Sequence, residues 1–261
     1  MDRATLRHYL TFYRDLGVKS VFVGGETEES ASPVETEEHG VEPTNPLEPP
    51  QAFSRVDLVD SSDDNLERIR QDMGDCKRCR LGAGRNKIVF GSGHVEARLV
   101  FVGEGPGADE DEQGLPFVGR AGQLLTQMID GTAGKEGLAI RRPDVYICNV
   151  VKCRPPENRT PEPDEMEICG QFLFRQLMVL RPRAICTLGA TATKALLDTR
   201  EGITKLRGRW QKWRDIPVMP TYHPSYLLRP YNQNAKREAW EDLKKVLHYV
   251  YDEPARPLSD F

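Results

Sequence analysis

Residues 98–125 read RLVFVGEGPGADEDEQGLPFVGRAGQLL, and this stretch limits the fold more than any other. Leu99-Val100-Phe101-Val102 is short, apolar and rich in β-formers, the pattern of a buried strand. Gly103-Glu104-Gly105-Pro106-Gly107 follows at once. Three glycines and a proline in five residues exclude helix or strand there and let a ligand lie against bare backbone. The acidic run at residues 109–112 extends the expected loop, Phe117 stands between two turns, and Gln123-Leu124-Leu125 opens a helix. Two readings fit: a strand-to-helix connection with Phe117 in the core, or a pocket loop at the carboxyl end of a parallel strand, where open α/β sheets bind ligands. The loop is neither a dinucleotide fingerprint nor a phosphate loop, because Pro106 and the acids interrupt the first pattern and no Gly-Lys-Ser/Thr completes the second.

The rest of the chain supplies partners for this unit. Apolar runs recur at residues 145–151, 184–188 and 217–221, with Ile88-Val89-Phe90 as a further candidate strand. Helical patterns cover residues 165–180, 190–197 and 235–250. Such alternation predicts a parallel sheet covered on both faces. Residues 1–24 form an amphipathic segment, with Leu6, Tyr9, Leu10 and Tyr13 on one helical face. It is a candidate for docking on the body or on another protein. Residues 25–64 are poor in apolar side chains and predict a linker without a core. Residues 65–252 make the globular domain and residues 253–261 a tail.

The net charge of −4 is uneven: residues 26–72 hold fourteen acidic and three basic side chains, and the body from Met73 carries +5. A mildly basic body is compatible with a nucleic-acid partner. No run approaches the roughly 18 apolar residues of a membrane span, and the first residues have no apolar signal core. The expectation is a cytoplasmic monomer with no membrane partner.

Six cysteines in such a protein argue against a disulfide framework. Cys76 and Cys79 form a C-x-x-C pair, and Cys153 and Cys169 a second pair across a proline-rich loop. Two pairs from distant segments are able to close a four-thiolate site, either zinc or iron–sulfur. Lys77, Arg78, Arg80, Lys152 and Arg154 flank it, either offsetting an anionic cluster or facing nucleic-acid phosphates. Cys148 and Cys186 lie inside apolar strands and read as small buried hydrophobes.

In chain order, GEGPG with Glu110 and Asp111, LPFVGRAG at residues 115–122, NVVKCRPP at residues 149–156 and His223-Pro224-Ser225 resemble the family 4, iron–sulfur uracil-DNA glycosylases. The likeness covers residues 75–250. It implies a three-layer α/β/α sandwich around a four-stranded, mostly parallel sheet, and a [4Fe–4S] cluster on Cys76, Cys79, Cys153 and Cys169. It also implies uracil-containing DNA as substrate. Two departures from the best-known branch of the superfamily concern mechanism: Gly105 stands where that branch carries a water-handling Asp, and Gly107 where it carries an aromatic that blocks thymine. The basic, His-bearing loop of a branch that traps DNA covalently is replaced by Pro155-Pro156-Glu157-Asn158-Arg159, so ordinary turnover is expected.

The candidate residues follow from the chemistry. A base acted on inside DNA must leave the stack. Phe117 offers it a ring, Gly105 bare backbone, and Asn149 an amide complementary to uracil N3–H and O4. His223 is the candidate donor to O2, where charge develops as the glycosidic bond breaks. Glu104, Glu110 and Asn158 are candidates for positioning the attacking water. Leu227 or Leu228 would fill the gap left by the flipped base, and Ser225 and Arg229 would contact phosphates. The alternative is a non-catalytic or redox iron–sulfur protein that binds nucleic acid. It leaves Asn149 and His223 unexplained as a pair.

Overall fold

The computed structural model describes residues 64–252. The expected N-terminal segment, all but the last residue of the expected linker and the C-terminal tail lie outside the described residues. Asp64 is fixed to the body, accepting hydrogen bonds from Arg175 Nε at 2.8 Å and Nη2 at 3.0 Å. Among the described residues, no helix is long and apolar enough to cross a membrane.

Helix α1 spans Leu66–Met73, with the Asn65 side chain capping Arg68 N. Strands β1 (Ser92–Gly93) and β2 (Leu99–Gly103) follow, then α2 (Ala108–Gln113), α3 (Arg120–Lys135), β3 (Tyr146–Asn149) and α4 (Pro163–Leu180). The chain continues through β4 (Ala184–Leu188), α5 (Ala190–Leu197), α6 (Ile203–Leu206), β5 (Gln211–Trp213), β6 (Ile216–Thr221), α7 (Pro224–Leu227) and α8 (Gln233–Tyr251).

The strand order is β1-β3-β2-β4-β6-β5. The central four strands are parallel, and the short β1 and β5 add antiparallel edges. The expected four-strand sheet is therefore this central set, extended to six. The anticipated strand at Ile88 to Phe90 does not form. Val89 N donates one bond to Lys152 O at 2.8 Å, and Gln176 Nε2 donates to Phe90 O at 3.0 Å, so a side chain satisfies a carbonyl that a ladder would use.

Side chains alternate across β2. Leu99 and Phe101 pack with Leu125 and Ile129 of α3 and Leu243, Val246 and Leu247 of α8. Val100 and Val102 pack with Ile69 of α1 and Leu173 and Leu177 of α4. Two helical layers thus enclose the sheet, and each fully buried Leu, Val or Phe contributes roughly 1.5–3 kcal/mol. Cys148 and Cys186 are fully buried in these cores, as their apolar surroundings predicted.

The acidic run is not loop. It is α2, which starts from Gly107 with Asp109, Glu110 and Asp111 in its first turn, where carboxylates meet the positive end of the helix dipole. Helix α3 likewise begins earlier than expected, at Arg120.

The far ends of α3 and α8 are joined through His248. Its ring nitrogens lie 2.9 Å from Glu136 Oε2 and 2.6 Å from Asp252 Oδ2, and Lys244 joins Glu136 at 3.0 Å. The bonds to Glu136 and then Asp252 raise the His248 pKa above its ordinary value. A raised folded-state pKa means stability that is fully present below the unfolded pKa of about 6.5 and lost as pH rises through the folded value. His248→Gln is therefore expected to lower the melting temperature more at pH 6 than at pH 9. An equal loss at both pH values, measured by thermal denaturation, would contradict this.

Candidate active site and cysteine site

The carboxyl ends of the four parallel strands lie level. Gly103 pairs with Asn149, Val102 with Thr187, and Leu188 with Thr221. The connection after β2 runs through α3 on one face and that after β4 through α5 on the other, which makes β2 and β4 a topological switch point. A cavity of about 350 Å³ opens there, a size suited to a small ligand. Glu104, Gly105, Glu110, Phe117, Asn149, Asn158, His223 and Ser225 all line it. The structure thus brings together every expected catalytic and base-contacting residue.

Asn149 ends β3 and is 1% exposed. Its Oδ1 is buried without a hydrogen-bond partner, which costs about 1–3 kcal/mol. Gly103 is what lets the amide sit there: a Cβ at residue 103 would lie 2.4 Å from Asn149 Oδ1 and 2.6 Å from the Phe117 ring. Gly105 is similarly confined, because a Cβ would meet Val151 Cγ2 at 2.8 Å. An Asp in that place would require Val151 to move.

Phe117 adopts a positive φ of 53°, a strained conformation for an aromatic residue. Glu110 holds it there. One carboxylate oxygen accepts from Val118 N at 2.9 Å and Gly119 N at 2.8 Å, and the other from Gly107 N at 3.1 Å. Arg142 clamps the same turn through Pro116 O at 2.7 Å and Thr126 Oγ1 at 2.8 Å. Both Glu110 oxygens are thus committed to backbone amides. Asp111, 1% exposed, accepts from Asn86 N at 2.9 Å and Nδ2 at 2.7 Å.

His223 caps α7. Its Nδ1 accepts the backbone N–H of Ser225 at 3.1 Å and lies 2.7 Å from Ser225 Oγ. An amide N–H only donates, so Nδ1 is the bare nitrogen and the neutral ring carries its proton on Nε2. Desolvation, against a smaller pull from Glu110, lowers the His223 pKa to about 4. The ring centroid lies 5.6 Å from that of Phe117. Across the cavity Glu104 accepts from Thr191 Oγ1. Asn158 and Glu157 have positive φ values of 56° and 54°, and Asn158 Oδ1 accepts from Arg154 Nε at 2.8 Å.

Cys76, Cys79, Cys153 and Cys169 share the walls of a second, smaller cavity with Met73, Ile88, Lys152, Ile168 and Phe172. Among the described residues, no three of His, Cys, Asp and Glu are gathered as a single metal ion requires. Burial raises the Cys153 thiol to about 11 and the Cys169 thiol to about 12. Donors nevertheless face the sulfurs: Lys152 N to Cys169 Sγ at 3.2 Å, Arg85 Nη1 to Cys153 Sγ at 3.6 Å and Arg78 Nη1 to Cys76 Sγ at 3.7 Å. Lys152 does not face phosphates. It is 1% exposed, and its Nζ donates to Asn149 O at 2.8 Å and Gln176 Oε1 at 2.6 Å. Neither acceptor is charged, so an anionic group in the neighbouring cavity would favour the protonated form of Lys152. The donor set fits a thiolate-bound cluster.

One expected DNA contact is corrected. Leu227 is 1% exposed and packs with Ala235, Ala239, Leu124 and Met128, so it cannot enter a base stack. Leu228 is half-buried, and Ser225 and Arg229 are exposed. Arg85, Arg142 and Thr191 were missed in the sequence: the two arginines lie between elements, and Thr191 belongs to an expected helix in which nothing marks it as facing the cavity.

The family model of the uracil DNA glycosylase superfamily matches residues 90–244. The chain is 45% identical over 190 residues to a type-4 uracil-DNA glycosylase of Thermotoga maritima, covering 72% of this chain and 96% of that protein. It is 45% identical over 191 residues to a type-4 enzyme of Sulfurisphaera tokodaii, covering 70% and 84%. A type-5 uracil-DNA glycosylase of Pyrobaculum aerophilum is 32% identical over 166 residues, covering 59% and 71%. With the family model spanning the sheet and the cavity, and relatives this similar over most of their length, the chain belongs to the uracil-DNA glycosylase superfamily and, within it, to the type-4 enzymes.

Proposed function

We propose that this protein hydrolyses the N-glycosidic bond of uracil in DNA and leaves an abasic site, as a DNA-repair glycosylase. The observation that carries the reading is the unpaired, buried Oδ1 of Asn149 in a cavity that also holds Phe117 and His223. Flipping the nucleotide costs a few kcal/mol. In the cavity the base stacks on Phe117, Asn149 Oδ1 accepts N3–H, and Nδ2 donates to O4. The bond between the anomeric carbon and N1 then breaks, and its electron pair stays on uracil. The neutral His223 donates its Nε2 proton in a hydrogen bond to O2 as charge develops there. Water adds its oxygen to the cationic sugar and loses a proton. Asn158 and Glu104 remain the residues for positioning that water. Glu110 acts through the Phe117 turn it holds. Ser225 and Arg229 meet phosphates, and Leu228 rather than Leu227 is the leucine left to approach the vacated stack.

A [4Fe–4S] cluster on Cys76, Cys79, Cys153 and Cys169 is the second part of this proposal. When bound it supplies a covalent tie between α1, the β3 exit and α4. Arg78, Arg85 and the Lys152 amide offset its charge. The partner is uracil-containing DNA, the acting species a monomer, and its place the cytoplasm.

Incubation with a uracil-containing oligonucleotide is expected to yield free uracil and an abasic site; no release would end the proposal. His223→Ala is expected to slow single-turnover excision by about 10² to 10³. The wild-type rate should show no inflection near pH 6.5, because His223 stays neutral down to about 4. Asn149→Asp should lose most uracil activity and gain weak cytosine release, since a carboxylate accepts from N4–H₂ and repels O4. Matched uracil and cytosine oligonucleotides measure this, and near wild-type uracil release by the variant would refute the assignment. The purified protein should be brown with about four irons per chain. Cys153→Ala should lose iron and melt at lower temperature, because a site that joins distant segments stabilises the fold; one zinc and no iron would exclude the cluster.

A further inference from the structure

Among the described residues, the large apolar side chains left exposed include Tyr226 at 39% and Tyr231 at 75%. Both follow closely on His223 and Ser225, which line the cavity. Tyr226 lies on α7, its ring centroid 5.3 Å from that of Tyr222. Arg229 connects the exposed pair. Its guanidinium carbon stands 5.9 Å from the Tyr226 ring centroid, and its Nη1 donates to Tyr231 OH at 3.4 Å.

The turn that carries them is fixed. Asn232, only 8% exposed, donates from Nδ2 to Tyr226 O at 2.7 Å and from its backbone N to Arg229 O at 3.1 Å. Leu228 N donates to Pro224 O at 3.2 Å. Residues 222–237 contain Arg229, Lys236 and Arg237 and no Asp or Glu, and Glu238, which follows, is engaged by Tyr222 and Arg207. The acidic helix α2 also reaches the cavity, through Glu110.

Exposed rings with a guanidinium between them make up the chemistry that binds single-stranded nucleic acid. We infer that Tyr226, Arg229 and Tyr231 form a stacking platform for an unpaired base next to the flipped uridine, with Arg229 presented to the adjoining phosphate. The platform rests on the glycosylase reading for its substrate. A ring stacks on any base, so the platform adds affinity for unpaired DNA without adding sequence preference.

The test uses the full chain with Tyr231→Ala, Tyr231→Phe and Arg229→Gln. Each is titrated by fluorescence anisotropy with a uracil-free single-stranded oligonucleotide, and by single-turnover excision with a uracil-containing one. Tyr231→Ala is expected to bind the uracil-free strand roughly tenfold more weakly. It should raise the half-saturating concentration for excision by a similar factor while leaving the maximal rate near wild type. Tyr231→Phe should bind like wild type, since stacking needs the ring and not the hydroxyl. Arg229→Gln should reduce the slope of log affinity against log salt by about one phosphate contact. Replacing the bases that flank uracil with abasic spacers should abolish the difference between wild type and Tyr231→Ala. Unchanged binding by Tyr231→Ala, equal weakening by Tyr231→Phe, or an undiminished difference on the spacer strand would each overturn the platform. Because the anisotropy strand contains no uracil, that arm still reads out if the protein releases no uracil, so the two proposals fail separately.

Discussion

A buried lysine joins the two sites of this protein. Lys152 is enclosed between the cysteine cavity and the exit of β3. A charge taken out of water is tolerated only with compensation. Here the compensation is lopsided: two neutral oxygens hold Nζ, one of them the carbonyl of Asn149. Burial pulls the Lys152 pKa down, and the nearby Cys148 and Cys169 oppose that pull. An anionic group on the four cysteines would complete the compensation. The residue whose amide N–H meets Cys169 Sγ thus also fixes the backbone of the residue at the floor of the base pocket.

The centre of the fold was legible because its signals are local. The apolar runs at β2, β3, β4 and β6 alternate with helical patterns, and burial on both faces makes each run nearly continuous. The cavity residues were legible because strand ends and glycine turns mark where side chains of this kind converge. What escaped depends on contacts between distant segments. Strands β1 and β5 have two and three residues, too few for a period, and exist only because a longer neighbour offers an open edge. Helix α2 follows a run of glycines, and an acidic sequence looks solvated until the helix dipole and the amides of Val118 and Gly119 are there to receive Glu110. Leu227 and Leu228 are adjacent and chemically alike. Only the packing of α7 against α3 and α8 sends the first inward.

The cavity separates charge in a way that suits its reaction. Glu104 and Glu110 line the cavity, and the turn from His223 onward carries Arg229 at its edge. Acidic groups near the sugar favour the positive charge that grows there, but they would repel a DNA strand laid across them. On the proposed reading, a strand whose phosphates met Arg229 and the first turn of α8 would avoid this. His223 lines the cavity, and desolvation keeps its ring neutral. A neutral imidazole that donates through Nε2 strengthens its bond only as O2 gains charge, whereas an imidazolium would already bind the intact base tightly. Differential stabilisation of this kind accelerates the chemical step.

Asn149 carries the same logic into specificity. Its buried oxygen has no partner in the unliganded protein, so the fold holds an unmet acceptor that a base with N3–H relieves. Cytosine presents an acceptor at N3 and a donor at N4, and would leave like groups facing each other in a site closed to water. Sites with committed polar groups reject the mismatched ligand far more strongly than apolar pockets do. Holding that amide in place depends on features with no chemistry of their own: the missing side chain at Gly103, the strained backbone of Phe117, and Lys152 Nζ on the Asn149 carbonyl. Each raises the cost of the amide rotating to satisfy itself. That rigidity is what turns a common side chain into a reader of one base.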